Sequence, residues 1–341
     1  MARVVNAQSE ALPQALAEAV QRLRAGTLVG LPTETVYGLA ADADQPAAVA
    51  RVYAAKGRPA DHPLIVHIAA EPATARAEAL AHYAATVPAF AQRLMAAFWP
   101  GPLTVILPRR PGVAEAAAAG QASIGLRCPA HPVAQALLRA CSAAGIRALA
   151  APSANRFGRI SPTRAEHVLA ELEPVLDDDT LLVLDAGPCP VGIESTIVDA
   201  TREHPVLLRP GMITRAQLQA VAGVPVGERD AAAPRASGTL ASHYAPRARV
   251  RLMSADELQA ALDLLGGQAQ SIAVYHRSPL HTVSPHVRLQ RMPDDAATCA
   301  RELFAVLRAL DDADTRLIWV ERPPEDAAWD GVRDRLQRAA A

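Results

Sequence analysis

Cysteine is scarce in this sequence of 341 residues, and the four that occur are widely spaced. They are Cys128, Cys141, Cys189 and Cys299. None belongs to a C-x-x-C pair, so their spacing indicates neither a zinc site nor a disulfide framework. Because disulfides form in oxidising compartments, we expect a protein of this kind in the reducing cytoplasm.

Aromatic residues, net charge and long apolar runs are also low or missing. The aromatic content is 4%, which argues against a stacking platform for single-stranded nucleic acid. The formal net charge is −1, so binding of nucleic acid would need a local basic patch. No apolar run reaches the ~18 residues that a membrane span requires. The N-terminal residues show helical periodicity with acidic side chains, so we expect neither a signal peptide nor a membrane contact.

The rest of the composition is typical of a globular protein, and the length favours two domains. Strands and helices are mixed in the N-terminal part, which predicts an α/β or α+β domain over residues 1–215. Periodicity then fails in a segment rich in Ala, Pro and Gly, and we interpret residues 216–247 as a linker. Strand–helix alternation over residues 248–341 predicts a smaller, parallel α/β domain with three layers.

Two apolar strands with polar residues at their ends form the centre of the N-terminal part. The first, residues 28–31, runs into a turn with two threonines and a glutamate, and the second, residues 64–68, follows the basic pair Lys56 and Arg58. Hydroxyl groups at one end of a cleft and cations at the other would suit a small anionic ligand. We also expect that alanine substitution of either basic residue removes activity with little change in melting temperature.

Four cations lie at the edge of an apolar strand or beside a proline: Lys56, Arg58, Arg127 and Arg209. Bonds from such groups to carboxylate or phosphate are strong, and losing one costs roughly 1.5–3 kcal/mol. Any one of the four alone could be a solvated surface charge. Their shared position next to turns rich in proline or glycine favours a site.

The candidate hydroxyl groups are ambiguous when they are considered singly. Ser161 precedes a predicted helix at 164–171 and could be a helix cap. Ser153 and Asn155 follow a buried strand and precede a glycine-containing loop, where backbone amides can hold a phosphate. His67 is either a core histidine or a ligand contact, and both interpretations stay open.

Sequence motifs for covalent catalysis are missing. There is no G-x-S-x-G motif and no G-K-[ST] after the glycines at 187–192, which argues against a serine nucleophile and a Walker loop. Glu34 and Glu194 could hold a metal through phosphate or could be structural. The residues alone do not decide between these roles.

Six motifs occur together in a fixed order, and this combination is more specific than any of its parts. The set resembles the YrdC/Sua5 family of threonylcarbamoyl-AMP synthases over nearly the whole chain. The motifs are PTETVYGL (32–39), KGRP…HPLIVHI (56–68), LRCP (126–129), PSANRFGRISPT (152–163), GIESTIVD (192–199) and LRPG (208–211). The final module and the SHYAP segment that precedes it (242–246) resemble the longer, Sua5-type members.

The resemblance implies a fold and a reaction. The fold is a twisted, open mixed sheet with a concave, positively charged cleft, followed by a smaller Rossmann-like parallel α/β domain. The enzyme is a nucleotidyltransferase that makes L-threonylcarbamoyl-AMP and pyrophosphate from L-threonine, bicarbonate or CO2, and ATP, with Mg2+ accompanying ATP. The product serves a downstream tRNA threonylcarbamoyl-transferase complex, which modifies adenosine 37 in tRNAs reading ANN codons.

The resemblance also implies the binding residues. Contacts to L-threonine are expected from Thr35, His67, Arg127, Ala151 and Ser195. Contacts to ATP are expected from Arg58, His62, Ser123, Ser153, Asn155, Ser161, Arg209 and Tyr244. Among these, Tyr244 would cover the nucleotide as part of a lid. Lys56 and Arg58, from the K-x-R motif, are expected to face the phosphates as catalytic residues, and no metal site made of protein side chains is expected.

The sequence departs from the family pattern at three places. His62 stands where the family commonly has Asn, Phe157 replaces a common small residue, and the segment before His243 lacks two of the usual basic residues.

Two other functions compete with the synthase. One is a non-catalytic module that binds double-stranded RNA or tRNA weakly in the same basic cleft, by shape. The other is a carbamoyl-transfer enzyme of the hydrogenase-maturation type, whose length and paired cysteines this chain lacks.

Overall fold

The computed structural model describes residues 3–341, which divide into two compact units. The first unit contains residues 3–157 and 161–239, and the second contains residues 158–160 and 240–341. Both predicted ends of the linker differ from this division. Residues 240–247 belong to the second unit. Residues 216–239, which we expected in a linker, pack with the first unit.

The first unit is built on one mixed sheet of eleven strands in the order β1-β8-β2-β3-β7-β4-β6-β5-β9-β10-β11. The strands are β1 (Arg3–Asn6), β2 (Leu28–Leu31), β3 (Gly38–Asp42), β4 (Ile65–His67), β5 (Leu103–Pro108), β6 (Ser123–Arg127), β7 (Leu149–Ala150), β8 (Leu181–Asp185), β9 (Thr196–Asp199), β10 (Val206–Arg209) and β11 (Gly227–Glu228). The sheet contains both parallel and antiparallel pairs, for example β4 with β6 in parallel and β5 with β6 antiparallel. The predicted mixed sheet is therefore confirmed.

Seven helices accompany this sheet in the described part of the first unit. They are α1 (Leu12–Arg24), α2 (Pro46–Lys56), α3 (Ala73–Tyr83), α4 (Ala89–Phe98), α5 (Pro132–Ala143), α6 (Ala165–Leu172) and α7 (Arg215–Ala222), with a 3₁₀ turn at Ser9–Ala11. Helices α1 and α5 share an apolar cluster with β2 and β8, through residues such as Leu23 and Leu137. The other helices contribute to a larger cluster that includes Val52 and Leu94. Two separate cores of this kind are typical of a sheet with helices on both faces.

The end of helix α2 places the basic pair of the K-x-R motif. The helix begins with Pro46 in its first turn and ends at Lys56 because Gly57 adopts the left-handed conformation, with φ of 59°. The backbone N–H groups of Gly57 and Arg58 then bond to the last carbonyls of the helix. Lys56 and Arg58 are consequently fixed on either side of a tight turn.

A third apolar cluster involves the supposed linker. Ala236 is buried together with Ile106, Ile197, Val206 and Leu208, which belong to strands β5, β9 and β10. The segment before it includes helix α7 and strand β11, and β11 pairs in parallel with β10. The composition of this segment predicted a linker because Ala, Pro and Gly give no periodicity, yet its few apolar side chains pack on the sheet.

The second unit has a four-stranded, fully parallel sheet in the order β12-β15-β13-β14. Its elements are β12 (Arg249–Met253), α8 (Ala255–Leu265), β13 (Ile272–His276), β14 (Val287–Arg291), α9 (Ala296–Leu310), β15 (Leu317–Glu321) and α10 (Asp330–Ala339), with 3₁₀ turns at Gly266–Gln268 and Ala327–Trp329. The predicted parallel α/β domain is confirmed. Strand β14 was missed because it is an edge strand, and three of its five residues are exposed.

The four cysteines are free and buried. Among residues 3–341, no helix combines the length and the apolar character needed to span a membrane.

Candidate active site

Arg127 and Glu34 form a buried ion pair where the loop after β2 meets the end of β6. The Nη2 atom of Arg127 lies 2.6 Å from the Glu34 carboxylate, and Nη1 donates to the Thr35 hydroxyl at 2.8 Å. The Ala130 backbone N–H also donates to Glu34, at 3.0 Å. Arg127 is 4% exposed and Glu34 5% exposed. Both Nη groups of Arg127 are thus engaged, whereas its buried Nε has no hydrogen-bond acceptor within residues 3–341.

Two threonine hydroxyls beside this pair have a defined hydrogen-bond direction. The Thr33 hydroxyl donates to the carbonyl of Val36 at 2.6 Å and lies 2.9 Å from the Thr35 hydroxyl. Because the Thr33 proton is committed to Val36, Thr35 must donate in this pair. Thr35 also accepts from Arg127, so the group that it can offer a ligand is its remaining lone pair. A lone pair at this position suits an ammonium group.

His67 lies next to Arg127, as its partner in the parallel pairing of β4 with β6. It is 2% exposed, and its Nδ1 atom is 3.3 Å from the carbonyl oxygen of Ile65. Burial, together with the nearby charge of Arg127, lowers the pKa of His67 to about 3. The imidazole is therefore neutral at pH 7. Ala151 is buried one strand away, and its backbone N–H is committed to the carbonyl of Ile65.

Ser195 lies between the hydroxyl of Thr104 and the guanidinium of Arg209. The Ser195 and Thr104 hydroxyl oxygens are 2.7 Å apart. Nη2 of Arg209 donates to the Ser195 hydroxyl at 3.2 Å and to its carbonyl at 2.9 Å. Thr104 is the cross-strand partner of Arg127, so both side chains are on the same face of the sheet.

Lys56 is the only lysine in a chain with 34 basic residues, and it is 2% exposed. Its ammonium donates to the carbonyl of Ser153 at 2.6 Å and also to the carbonyl of Asn155. Burial, followed by the charge of Arg58, lowers the pKa of Lys56 well below its usual range. In this structure Lys56 holds the loop at 153–155 in place.

Arg58 is held by backbone carbonyls and by an aromatic ring. It donates to the carbonyls of His62 at 3.2 Å and Pro63 at 3.0 Å, and its guanidinium carbon lies 5.5 Å from the centre of the Phe157 ring. The rings of His62 and Phe157 are also 5.5 Å apart, in an edge-on arrangement. Two of the departures from the family pattern therefore lie together around Arg58. Burial and the charge of Arg58 lower the pKa of His62.

Residues 235–237, which we call the strap, contact two of the cations, Arg58 and Arg209. The Ser237 carbonyl accepts from Arg209 at 2.9 Å, and its hydroxyl is 3.4 Å from Nη2 of Arg58. Arg235 is paired with Asp61 at 2.5 Å. A pocket lies between the strap and the sheet, and its lining includes Thr104 and the predicted ATP residue Ser123.

Ser161 and Glu194 form a second buried polar pair in the first unit, in which the serine hydroxyl donates to the carboxylate. Within residues 3–341, no group of three or more His, Cys, Asp or Glu side chains could hold a metal ion. The two open candidates for metal ligands, Glu34 and Glu194, thus each have a partner within the protein.

Solved structures of Pyrococcus abyssi Sua5 have the same fold as this chain. The complex with L-threonine has a TM-score of 0.86 at 31% identity, covering 99% of this chain and 97% of the other. A variant with two alanine substitutions has a TM-score of 0.88 at 31% identity, covering 100% and 96%. The family model described as "Telomere recombination" matches residues 21–211, and the one described as "Threonylcarbamoyl-AMP synthase, C-terminal domain" matches residues 213–341. The chain belongs to the Sua5-type threonylcarbamoyl-AMP synthase family.

Curated relatives in this family extend over most of the chain. A threonylcarbamoyl-AMP synthase of Bacillus subtilis is 36% identical over 334 residues, covering 95% of this chain and 92% of the relative. The P. abyssi synthase is 34% identical and covers 93% and 92%, and the Schizosaccharomyces pombe synthase is 35% identical and covers 92% and 85%. The resemblance read from the six motifs, the fold and the enzyme class are therefore confirmed, and the chain carries the transferase domains of tRNA threonylcarbamoyladenosine synthesis.

Within the threonylcarbamoyl-AMP synthase framework, the structure gathers all but one of the predicted site residues in the first unit. The exception is Tyr244, which lies in the second unit at 1% exposure, with its ring 5.4 Å from that of Phe304 and from the guanidinium carbon of Arg335. A lid role for Tyr244 stays a prediction. Sequence reasoning missed Thr104 and Ser237. Thr104 could have been noticed as the one hydroxyl in the apolar run LTVILP, whereas nothing in its own sequence marks Ser237.

Proposed function

We propose that this chain condenses L-threonine with bicarbonate or CO2 and activates the carbamate with ATP, giving L-threonylcarbamoyl-AMP and pyrophosphate. The observation that carries the proposal is the set of buried cations and hydroxyls on one face of adjacent strands. Arg127 and Thr104 are cross-strand partners there. The Thr104 hydroxyl contacts the Ser195 hydroxyl, which accepts a hydrogen bond from Arg209. The solved P. abyssi Sua5 structure in complex with L-threonine supports this assignment.

The amino-acid end of the site would lie around Thr35, His67 and Arg127. The lone pair of Thr35 and the neutral imidazole of His67 can receive a substrate amine without repelling it. The guanidinium of Arg127 has five N–H donors, and its bonds to Thr35 and Glu34 use one on each Nη atom. A substrate carboxylate could therefore bind to the remaining donors, which include the buried Nε.

ATP would bind beside Ser123, Arg58 and Arg209. The pocket under the strap has a volume of only about 20 Å³ in this structure, so the strap would have to move to admit a nucleotide. Lys56 holds the backbone of Ser153 and Asn155, and Glu194 holds the hydroxyl of Ser161. Mg2+ would enter as the ATP complex, because phosphate oxygens and water supply most of its ligands in such sites. This arrangement requires no carboxylate cluster from the protein.

The proposed chemistry needs no side-chain nucleophile. The amine lone pair of L-threonine attacks the carbon of CO2, the nitrogen loses a proton, and the carbamate anion forms. A carbamate oxygen then attacks the α-phosphorus of ATP, and the bond to pyrophosphate breaks. Placing two reactants together and neutralising phosphate charge can supply most of the acceleration in such a transfer.

The product would pass, in the cytoplasm, to a tRNA threonylcarbamoyl-transferase complex that acts on adenosine 37 of tRNAs reading ANN codons. Binding of duplex RNA in the same cleft is disfavoured by burial. Arg58, Arg127 and Arg209 are 7%, 4% and 2% exposed, so they cannot follow an RNA backbone at the surface.

The test is pyrophosphate release with each substrate omitted in turn and with the product identified by mass. We expect release only when L-threonine, bicarbonate and ATP are all present, and a product with the mass of threonylcarbamoyl-AMP. Arg58→Ala should abolish release, whereas Arg301→Ala, a change at an exposed position, should not. Release without L-threonine or without bicarbonate would refute the proposal.

A further inference from the structure

Thr104 and Ser195 are two hydroxyl groups that lie against each other in a buried part of the sheet. Each is fully buried, and their oxygens are 2.7 Å apart. Thr104 lines a pocket with Ile65, Ile106 and Ile197, which also includes polar residues such as Ser123 and Ser237. A buried hydroxyl proton without an acceptor costs about 1–3 kcal/mol, so the direction of each O–H bond matters.

The pair has more protons than acceptors. One of the two O–H groups donates to the other, and Nη2 of Arg209 donates to the Ser195 oxygen as well. Neither side chain has another acceptor within residues 3–341. Whichever hydroxyl donates inside the pair, one proton remains without an acceptor in the protein.

The Thr33–Thr35 pair gives the opposite result by the same counting. Thr33 donates to the carbonyl of Val36, so every proton of that pair is used and a lone pair is left. Arg127 relates the two pairs, because it donates to Thr35 and is the cross-strand partner of Thr104. The Thr33–Thr35 pair can therefore accept a hydrogen bond from an amine, and the Thr104–Ser195 pair can donate one to a carboxylate. An amino acid carries both of these groups.

We infer that Thr104 is a substrate-positioning residue, and that the Thr104–Ser195 pair donates its uncommitted proton to an anionic oxygen of the amino-acid substrate. This oxygen belongs to the carboxylate or to the carbamate formed from the amine. Arg209 adds positive charge beside it. When Thr104 donates to Ser195, the Ser195 proton points to the ligand, so Thr104 acts through Ser195.

The inference rests on the proposed function, but it can be tested by binding alone. Calorimetry with L-threonine, with and without a non-hydrolysable ATP analogue, would compare the wild type with Thr104→Val and Thr104→Ser. The valine variant keeps the shape and removes the hydroxyl, whereas the serine variant keeps the hydroxyl. We expect Thr104→Val to weaken L-threonine binding roughly 10-fold and Thr104→Ser to restore most of it.

Steady-state kinetics and a double-mutant cycle separate positioning from a structural role. Thr104→Val should raise KM for L-threonine with little change in KM for ATP, and thermal unfolding of each variant would be followed in parallel. In the Ser195→Ala background, Thr104→Val should add almost nothing, because the pair acts as one donor.

Three results would overturn the inference: binding of L-threonine by Thr104→Val as tight as by the wild type, losses that add fully in the double variant, or no binding of L-threonine by the wild type. A wild type that binds L-threonine but releases no pyrophosphate would refute the proposed reaction instead. If Thr104→Val unfolds, Thr104→Ser and Ser195→Ala still test the pair. Failure of Thr104→Ser to bind with near wild-type affinity would then count against it.

Discussion

The guanidinium of Arg209 donates two hydrogen bonds to the carbonyl oxygen of Ser195, from Nη2 at 2.9 Å and from Nε at 3.1 Å. Only a planar group with fixed donor directions can make both bonds to one oxygen while also reaching a third acceptor. Arg209 therefore fixes the start of strand β9, in addition to its predicted contact with ATP.

Replacing Arg209 with lysine keeps the charge but removes this fork. We expect Arg209→Lys to lower the free energy of unfolding by about 1–3 kcal/mol and to raise KM for both L-threonine and ATP. Urea denaturation and initial rates are the measurements. Arg301→Lys is the control, because Arg301 is exposed and its nearest carboxylate partner, Glu302, is 3.9 Å away. Equal effects of the two substitutions would show that the fork contributes nothing.

Replacing Glu34 with glutamine leaves the buried charge of Arg127 without its counter-ion. Breaking a buried pair in this way costs about 3–5 kcal/mol, because the remaining charge stays desolvated. We expect Glu34→Gln to lower the urea midpoint sharply. Glu228→Gln, which affects an exposed pair with Arg215, should change stability by less than ~1 kcal/mol. A variant as stable as this control would contradict the assigned role of the pair.

The pKa of Lys56 can be measured directly because the chain contains no other lysine. Selective isotope labelling of lysine should give a single side-chain signal, and its titration midpoint should lie below the ordinary value of about 10.4. The cause is burial, with the charge of Arg58 as the second contribution. A midpoint at or above 10.4 would show that the carbonyls of Ser153 and Asn155 outweigh burial.

The same contacts modify the sequence-based expectation for Lys56. Alanine at this position was expected to remove activity with little change in melting temperature. Because the ammonium bonds to two carbonyls, we now expect Lys56→Met to cost about 1–3 kcal/mol of stability as well. Thermal unfolding measured beside activity would separate the two effects, and an unchanged melting temperature would restore the earlier expectation.

His67 should make stability depend on pH in the acidic range. Its folded-state pKa of about 3 lies below the unfolded value of about 6.5, so the unfolded chain binds more protons between these values. Stability from this group is complete above pH 6.5 and is lost as pH falls toward 3. We expect His67→Gln to reduce the slope by up to about 1.4 kcal/mol per pH unit. His204→Gln changes an exposed histidine and serves as the control. An unchanged slope in His67→Gln would contradict the prediction, because it would show that His67 is already charged in the folded protein.

The sequence predicted best what depends on local pattern. The apolar runs at 28–31 and 64–68 gave strands β2 and β4, and the helix predicted at 164–171 is α6. Strand β11 has only two residues, and no pattern of that length distinguishes it from coil. Five of the six ordered motifs lie wholly in the first unit, and the motif at 152–163 is divided because residues 158–160 belong to the second.

The contacts that escaped prediction join residues far apart in the chain. Ser237 is 179 residues from Arg58, and Arg235 is 174 residues from Asp61. Thr104 and Ser195 meet because β5 and β9 are parallel neighbours, which the spacing of apolar residues does not reveal. The proton direction in the Thr33–Thr35 pair follows from the contact of Thr33 with the Val36 carbonyl, which the sequence does not reveal.

The strap has a thermodynamic consequence for any nucleotide that enters the cleft. Arg58 and Arg209, two of the guanidinium groups expected to bind the triphosphate, already donate hydrogen bonds to oxygens of Ser237. Nucleotide binding would therefore replace these bonds with bonds to phosphate. Only the difference in strength between the incoming and the departing bonds reaches the dissociation constant. Affinity for ATP would thus be weaker than a count of its final contacts implies, and product release correspondingly easier.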